Sequence, residues 1–204
     1  MSVAGHGPYA RIAVIGAGAW GTALAAIARR AGRAVRLWGR NADDVATLAE
    51  SGRNERYLPG IDLPAGIDAT ADLAHALDGA DCVLMVTPSR SLREMAARIA
   101  PHLPADVPIV LCAKGIEQTT GKLLSEVVEE ELPMHRIGAL SGPTFATETV
   151  LGHPTAVTLA FPFAASDRRD PESAPATRLA LSLGSEMFRP YISDDLVGVE
   201  VAGA

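Results

Sequence analysis

The chain has 204 residues, which is enough for one α/β domain and the start of a second. Its hydrophobic share of 48% and charged share of 21% are typical of a soluble globular protein. The formal net charge of −6 argues against a nucleic-acid-binding protein, because such proteins depend on a basic surface. There is no apolar run long enough to span a bilayer, and residues 1–9 lack the apolar core of a signal peptide. We therefore expect a cytoplasmic protein without a membrane span.

The residues with reactive side chains are few. Cys82 and Cys112 lie in apolar, strand-like runs, which predicts buried, reduced thiols rather than a disulfide or a redox pair. The five histidines are scattered with no pair at metal-ligand spacing, so we predict neither a metal site nor a catalytic histidine. Only two of the 18 basic residues are lysines, Lys114 and Lys122. Lys114 is a candidate functional residue because a lysine gives up a proton far more easily than an arginine.

A glycine-rich loop near the start of the chain is the strongest motif. Four apolar residues, Ile12–Ile15, run directly into Gly16, Gly18 and Gly21, and an alanine-rich helical pattern follows. This strand, turn and helix is the context that the dinucleotide-binding motif G-x-G-x-x-G requires. The first glycine allows the turn, the second lets the backbone approach a pyrophosphate, and the third lets the helix pack on the strand. We predict a Rossmann-type α/β domain over residues 1–192, a doubly wound, mostly parallel sheet with helices on both faces.

The other elements follow from apolar periodicity and from turn signals. Strands are predicted at Ala34–Trp38, Ile67–Thr70, Asp81–Val86, Pro108–Ala113, Arg136–Leu140, Thr155–Ala160 and Phe188–Ile192. Helices are predicted at Thr22–Ala31, Asn41–Glu50, Ala71–Leu77, after Thr87–Ser89, at Gly121–Glu131 and at Leu196–Val201. Ser51–Pro64 is predicted to be an ordered surface loop, and the charged stretch Ser166–Thr177 a mobile loop or a helix entry.

The end of the second predicted strand bears on the choice between NAD and NADP. An acidic residue there would bind the ribose hydroxyl and repel a phosphate, but the first acids are Asp43 and Asp44. Arg40 is therefore a candidate ligand for the 2′-phosphate, through the planar fork of its guanidinium. The alternative is an ordinary surface arginine at a helix start. This pattern favours NADP(H), with NAD(H) as the other cofactor to consider.

Two later segments follow predicted parallel strands at the ligand-binding edge of the sheet. Lys114 comes directly after Pro108–Ala113, where it could bind a substrate oxygen or phosphate, or hold the nicotinamide end of the cofactor. A solvent-exposed lysine at a strand exit is the alternative. Ser141–Ala146 follows the next strand, and its small residues and hydroxyls suit an anion or a carbonyl group.

Thr87–Ser89 lies at the same edge, after the strand Asp81–Val86. Capping of the next helix would require the same residue types, with Ser89, or Ser91 together with Glu94, as the cap. Ligand binding and capping therefore both remain open for this segment.

Seven motifs in this order resemble the amino-terminal half of bacterial NAD(P)-dependent glycerol-3-phosphate dehydrogenase. The resemblance runs from about Arg11 to the last residue and rests on Gly16–Ala25, Leu37–Arg40, Tyr57–Pro59, Val86–Ser89, Ala113–Glu117, Ser141–Ala146 and Asp195–Glu200. That family reduces dihydroxyacetone phosphate to sn-glycerol 3-phosphate with NAD(P)H, for phospholipid synthesis.

The resemblance implies a role for particular residues of this chain. Cofactor contacts are implied for Ala19, Trp20, Arg40, Tyr57, Lys114 and Ala146, beside the glycine loop itself. Substrate contacts are implied for Lys114, Gly142 and Thr144. Two positions depart from the family pattern, since Ala19 stands where serine is common and Thr147 where lysine or arginine is frequent.

The last residues carry a further expectation from the resemblance. In the family, the helix that resembles Val197–Ala204 continues to a lysine that acts as general acid/base, and an all-helical second domain follows. We therefore expect residues 193–204 to be the first turns of the helix leading to that domain, with the second domain absent and the catalytic lysine just beyond Ala204. On this view the chain holds no catalytic residue, binds NADPH, and reduces dihydroxyacetone phosphate poorly or not at all.

The resemblance also suggests a homodimer for the full-length enzyme. Two other functions stay open at this stage: another two-domain reductase of the ketopantoate or β-hydroxy-acid type, and a non-catalytic NAD(P)-binding module.

Overall fold

The computed structural model describes residues 7–104 and 106–202. The strands are β1 (Arg11–Ile15), β2 (Ala34–Trp38), β3 (Ile67–Thr70), β4 (Cys82–Met85), β5 (Ile109–Leu111), β6 (Ile137–Ser141), β7 (Thr155–Ala160) and β8 (Phe188–Ser193). The α-helices are α1 (Ala19–Arg30), α2 (Ala42–Ser51), α3 (Leu73–Leu77), α4 (Leu92–Ile99), α5 (Leu124–Glu131), α6 (Ala146–Val150), α7 (Ala165–Arg169), α8 (Pro175–Leu183) and α9 (Leu196–Ala202). Residues 1–6 and 203–204, parts of the predicted amino-terminal segment and of the last predicted helix, lie outside the described residues.

One sheet contains all the strands, in the order β3-β2-β1-β4-β5-β6-β7-β8. Neighbouring strands are parallel except β6 and β7, which are antiparallel. The chain winds outward from β1 through β2 and β3, then crosses to β4 on the other side of β1. Open α/β sheets bind ligands at such a reversal, outside the carboxyl ends of the strands. The predicted Rossmann-type, mostly parallel fold is confirmed, and the reversal lies at the glycine loop.

Both faces of the sheet are covered, as a central parallel strand requires. Along β1, Ile12 and Val14 face a core that contains residues of α1 and α8. Ala13 and Ile15 face a second core that contains residues of α3, α4, α5 and α9. Each fully buried side chain of this size contributes roughly 1.5–3 kcal/mol to folding relative to an exposed one. The two-residue alternation of β1 therefore fixes which helices lie on each face.

The buried thiols agree with the prediction. Cys82 and Cys112 are buried and free, and burial raises the pKa of both thiols above the usual range. No helix within the described ranges is long and apolar enough to cross a membrane.

For the stretch Ser166–Thr177 the structure confirms the second of the two predicted alternatives, a helix entry. The stretch contains α7 and the entry to α8, which begins at Pro175, where a proline loses no intrahelical hydrogen bond. Asp167 of α7 is buried and accepts two hydrogen bonds from the Arg136 guanidinium, at 3.0 and 2.7 Å. One charged residue of this segment, Asp167, therefore attaches it to Arg136, the residue before β6.

Several predicted element ends also differ from the structure. The helix predicted from Thr22 begins at Ala19, directly after the second glycine of the loop. The helix predicted from Gly121 begins at Leu124, because Gly121 has a φ of 73° and donates its N–H to the Glu117 carbonyl at 2.8 Å. Ser91 does not cap α4 with its side chain, since its hydroxyl donates to the Pro88 carbonyl at 3.0 Å.

A buried carboxylate joins α9 to α5. Glu200 is 8% exposed, and it accepts hydrogen bonds from the backbone N–H of Ser125, at 3.0 Å, and from the Ser125 hydroxyl. Burial raises the pKa of Glu200, although the two hydrogen bonds oppose that shift. The last described helix is thus fixed to the start of α5 by a group that is costly to keep charged.

This raised pKa predicts a pH-dependent stability. The folded protein binds a proton at Glu200 more tightly than the unfolded chain does, so the contribution of this group is greatest at low pH and is lost as the pH rises through the folded-state value. Glu200→Gln keeps an acceptor for Ser125 but does not titrate. Between about pH 4 and pH 7 we expect the free energy of unfolding of the unmodified protein to fall relative to the variant, measured in urea. A difference between the two proteins that does not change with pH would contradict this assignment.

Candidate functional site

The three glycines of the loop occupy three different environments. Gly16 has a φ of 128°, and a Cβ atom there would lie 2.6 Å from the Val86 carbonyl oxygen at the end of β4. A Cβ atom at Gly21 would lie 1.8 Å from the carbonyl oxygen of Gly16, so α1 packs directly against the loop. At Gly18 a Cβ atom would meet no atom within 4 Å. The outer two glycines therefore permit close packing, and the middle one faces open space.

The open space lies at the start of α1. Gly18 is the N-cap of this helix, and a glycine has no side chain that could cap the first turn. The first turn of a helix leaves backbone N–H groups without intrahelical partners, and the helix dipole favours an anion there. The described residues thus fit a pyrophosphate group. A ligand can approach the backbone at Gly18, and the N–H groups of the first turn of α1 can donate hydrogen bonds to it.

A cleft of about 240 Å³ opens beside this loop. Its lining residues come from α1, from the segment after β5, from the end of β6, from the segment that follows β6 and from the start of α6: Trp20, Cys112, Lys114, Leu140, Ser141, Gly142, Thr144 and Ala146. Five of the predicted site residues therefore line one cleft, namely Trp20, Lys114, Gly142, Thr144 and Ala146. The other predicted site residues do not line it: the glycines of the loop, Ala19, Arg40 and Tyr57.

The turn after β6, at residues 142–144, packs closely against β7. A Cβ atom at Gly142 would lie 2.9 Å from the Ala156 carbonyl oxygen of β7, so only glycine fits without a shift. The N–H of Thr144 donates to the Gly142 carbonyl at 2.9 Å, which closes a tight turn. The chain then enters α6, where Val150 is buried with Ala23 of α1. This packing of α6 on α1 brings Ala146 and Trp20 to the same cleft.

Lys114 is exposed at the rim and has a free ammonium group. It makes no hydrogen bond or ion pair with any residue that the structure describes. Gly115 follows it with a φ of 114°, a conformation that glycine adopts readily. The ammonium is therefore available to a ligand in the cleft.

Arg40 and Tyr57 do not line the cleft. Arg40 is exposed after the end of β2, and within the described ranges it too makes no ion pair or hydrogen bond. The residue before it, Gly39, lies against the glycine loop, because a Cβ atom there would be 3.0 Å from the Ala17 Cβ atom. Tyr57 is 45% exposed, with the Arg56 guanidinium 5.4 Å from its ring centre. Arg40 thus borders the loop on the side away from the cleft.

Asn54 is a residue of the site region that sequence reasoning missed. It is buried in the predicted surface loop, and its side-chain amide donates to the Ala17 carbonyl at 3.0 Å and to the Thr22 hydroxyl at 2.7 Å. These bonds attach the long loop to the glycine turn and to α1. No local pattern marks such a residue, because both partners are more than thirty positions away.

Thr87 lies at the end of β4, beside the glycine loop. A Cβ atom at Gly16 would be 3.3 Å from its backbone nitrogen. Its side chain does not cap the following helix: the hydroxyl is buried and has no hydrogen-bond partner among the described residues.

The doubly wound sheet and the glycine loop at its reversal point define a Rossmann-type nucleotide-binding domain. The comparisons with known proteins identify it further. The family model described as "NAD-dependent glycerol-3-phosphate dehydrogenase N-terminus" matches residues 11–166. The chain belongs to this family.

Relatives and solved structures agree with this assignment. The chain is 52% identical to the glycerol-3-phosphate dehydrogenase [NAD(P)+] of Mesorhizobium japonicum and 48% identical to that of Rhodospirillum rubrum, with 95% of the chain covered in each case. The crystal structure of glycerol-3-phosphate dehydrogenase from Coxiella burnetii is similar with a TM-score of 0.83 and 37% identity over 98% of the chain, covering 57% of that protein. The matches cover 54% and 53% of the two relatives, so the chain spans about half the length of the curated relatives it matches.

A ketopantoate reductase from Ralstonia eutropha shares the fold at greater distance, with a TM-score of 0.63 and 20% identity over 93% of this chain and 58% of that one. At that identity the likeness concerns the fold alone.

The glycine geometry predicts opposite effects of the same substitution at two positions. Gly21→Ala should lower the free energy of unfolding by at least about 2 kcal/mol, because its methyl group would overlap the Gly16 carbonyl. Gly18→Ala should change it by less than about 0.5 kcal/mol, because the site is open and its φ of −74° and ψ of −178° suit alanine. Urea denaturation measures both. Equal destabilisation by the two variants would contradict the packing described above.

Proposed function

We propose that the cleft binds the nicotinamide end of NAD(P)H. We further propose that the protein takes part in the reduction of dihydroxyacetone phosphate to sn-glycerol 3-phosphate in the cytoplasm. The proposal rests on one observation: a single cleft beside the glycine loop is lined by Trp20, Lys114, Thr144 and Ala146. The relatives named glycerol-3-phosphate dehydrogenase support the choice of substrate.

The reaction assigns separate tasks to the residues of this chain. Bound NAD(P)H would supply the hydride for the substrate carbonyl carbon. Gly18 and the first turn of α1 would hold the pyrophosphate, and Trp20 and Ala146 would bind the cofactor within the cleft. The Lys114 ammonium would donate hydrogen bonds to the cofactor and to the substrate, and it would stabilise negative charge on the substrate oxygen, where a positioned cation is most effective. Thr144 and the backbone at Gly142 would complete the substrate contacts. The alkoxide formed would take its proton from a separate general acid, so we assign Lys114 to orientation and charge rather than to proton donation.

We further propose that the site prefers NADP(H), through Arg40. This guanidinium is unpaired within the described ranges and follows Gly39, which contacts the glycine loop. The nearby acid Asp44 is already engaged, because its carboxylate accepts a hydrogen bond from Arg56 at 2.6 Å. A 2′-phosphate would give Arg40 the planar anionic partner that its fork fits.

Arg40→Ala tests this preference. The variant should bind NADPH at least about 10-fold more weakly, because it loses a charge-assisted contact, and should change NADH binding less than about 2-fold. Fluorescence titration of the 204-residue chain with each cofactor measures the two constants. Arg56→Ala is the matched control, since that arginine lies nearby but is paired with Asp44. Equal weakening of NADPH and NADH would overturn the assignment.

Lys114→Ala tests the substrate site. In the unmodified chain we expect sn-glycerol 3-phosphate to tighten binding of the oxidised cofactor, and the variant should lose at least about 10-fold in affinity for the phosphate compound. Lys122→Ala is the natural control, because it is the other lysine of the chain and pairs with Glu130. Calorimetry of both variants decides the matter. The same affinity in the two variants would count against the proposed function.

A further inference from the structure

The segment between β5 and α5 forms a closed turn over residues 115–123. The N–H of Glu117 donates to the Lys122 carbonyl at 2.9 Å, and the N–H of Gly121 donates to the Glu117 carbonyl at 2.8 Å. Ile116 and Leu123 form an isolated antiparallel bridge at its base. Lys114 is joined directly to this turn at Gly115, so a displacement of the turn would displace the lysine.

One arginine attaches the turn to the rest of the domain. Arg93 on α4 donates from Nε and Nη2 to the two carboxylate oxygens of Glu117, both at 2.9 Å. Its Nη1 donates to Glu130, at 2.8 Å, and to Glu131, at 2.9 Å, on α5. We call these four residues the Arg93 cluster. It joins the turn, α4 and α5 through a single guanidinium.

The bond to Glu117 differs from an ordinary surface ion pair. Isolated exposed pairs contribute little, because water screens them and two side chains must be ordered. Here the Glu117 side chain is only 14% exposed, it binds the arginine with both oxygens, and it accepts a third hydrogen bond from the Thr120 hydroxyl at 2.7 Å. Arg93 and Thr120 lower the pKa of Glu117 to about 2, so it stays charged at neutral pH. Such a two-bond fork fixes direction as well as distance.

The cluster also accounts for the acidic end of α5. Glu130 and Glu131 stand at the carboxyl end of this helix, where the helix dipole disfavours negative charge. Arg93 faces both carboxylates, and Lys122 pairs with Glu130. These carboxylates hold the arginine from the α5 side while Glu117 holds it from the turn.

We propose that Arg93 is a positioning residue for Lys114: by binding Glu117, it fixes the turn 115–123 on α4 and α5 and so keeps Lys114 at the rim of the cleft. The inference rests on the proposed function, in which Lys114 contacts cofactor and substrate. Arg93 itself lies outside the lining of the cleft.

The first experiment needs no ligand. Amide hydrogen exchange of the turn, at Glu117 and Gly121, should become at least about 10-fold faster in Arg93→Met, because the turn loses its attachment. Arg93→Lys should behave almost the same, because a lysine cannot form the two-bond fork. Glu131→Gln is the matched control: it alters the same cluster but leaves the fork to Glu117, and it should change exchange less than about 2-fold. Unchanged exchange in Arg93→Met would overturn the proposal.

If Arg93→Met is too unstable to measure, Glu117→Gln provides the same test from the other side of the fork. It should accelerate exchange in the turn while α4 keeps its protection. Equal loss of protection throughout α4 and α5 would instead mean that the cluster merely stabilises helix packing, and would overturn the positioning role.

The second experiment asks whether Arg93 acts through Lys114. Arg93→Met should weaken NADPH binding by at least about 5-fold in the unmodified background and by less than about 2-fold in the Lys114→Ala background. Equal effects in both backgrounds would contradict action through the lysine. Failure of the unmodified chain to bind NADPH would count against the proposed function, whereas the exchange measurement would still decide whether Arg93 holds the turn.

Discussion

The contact between Gly16 and Gly21 is the constraint on which the site depends. Because the carbonyl of Gly16 occupies the space of a side chain at position 21, α1 begins directly on the end of β1. The helix is then buried from Gly21 to Ala28 and lies in a fixed place on the sheet. Asn54 reinforces this arrangement through its bonds to Ala17 and Thr22. Packing and these hydrogen bonds thus hold the amino-terminal end of α1 in place.

Among the residues that the structure describes, Arg40 and Lys114 combine a charge that has no carboxylate partner with a position at the edge of the sheet where this fold binds ligands. In a chain with a net charge of −6, arginines such as Arg93 and Arg136 have carboxylate partners. Within the described ranges Arg40 and Lys114 have none, and both lie near the carboxyl ends of the central strands. An unpaired cation at this edge is available to a phosphate or to a developing oxyanion, and no internal salt bridge has to be broken first.

The sequence alone predicted those features of the fold that depend on residues close together in the chain. The apolar strands, the glycine loop and the helix predicted from Asn41 depend on residues adjacent in the chain, so pattern alone locates them. Asn54 and Asp167 could not be predicted, because their partners lie far away along the chain. The same applies to Arg93, whose link to Glu117 exists only once α4 and β5 are neighbours in space.

Amide chemical-shift mapping with NADPH tests the central claim most directly, namely that the loop, the β5 exit and the turn after β6 form one nucleotide site. The account predicts shifts at Gly18, Trp20, Lys114 and Ala146 that saturate with a single binding constant. A second hollow, lined by residues of α2 and by the segment before β3, offers a comparison elsewhere on the domain. Shifts confined to that hollow, or to Gly18 without Lys114 and Ala146, would contradict the account.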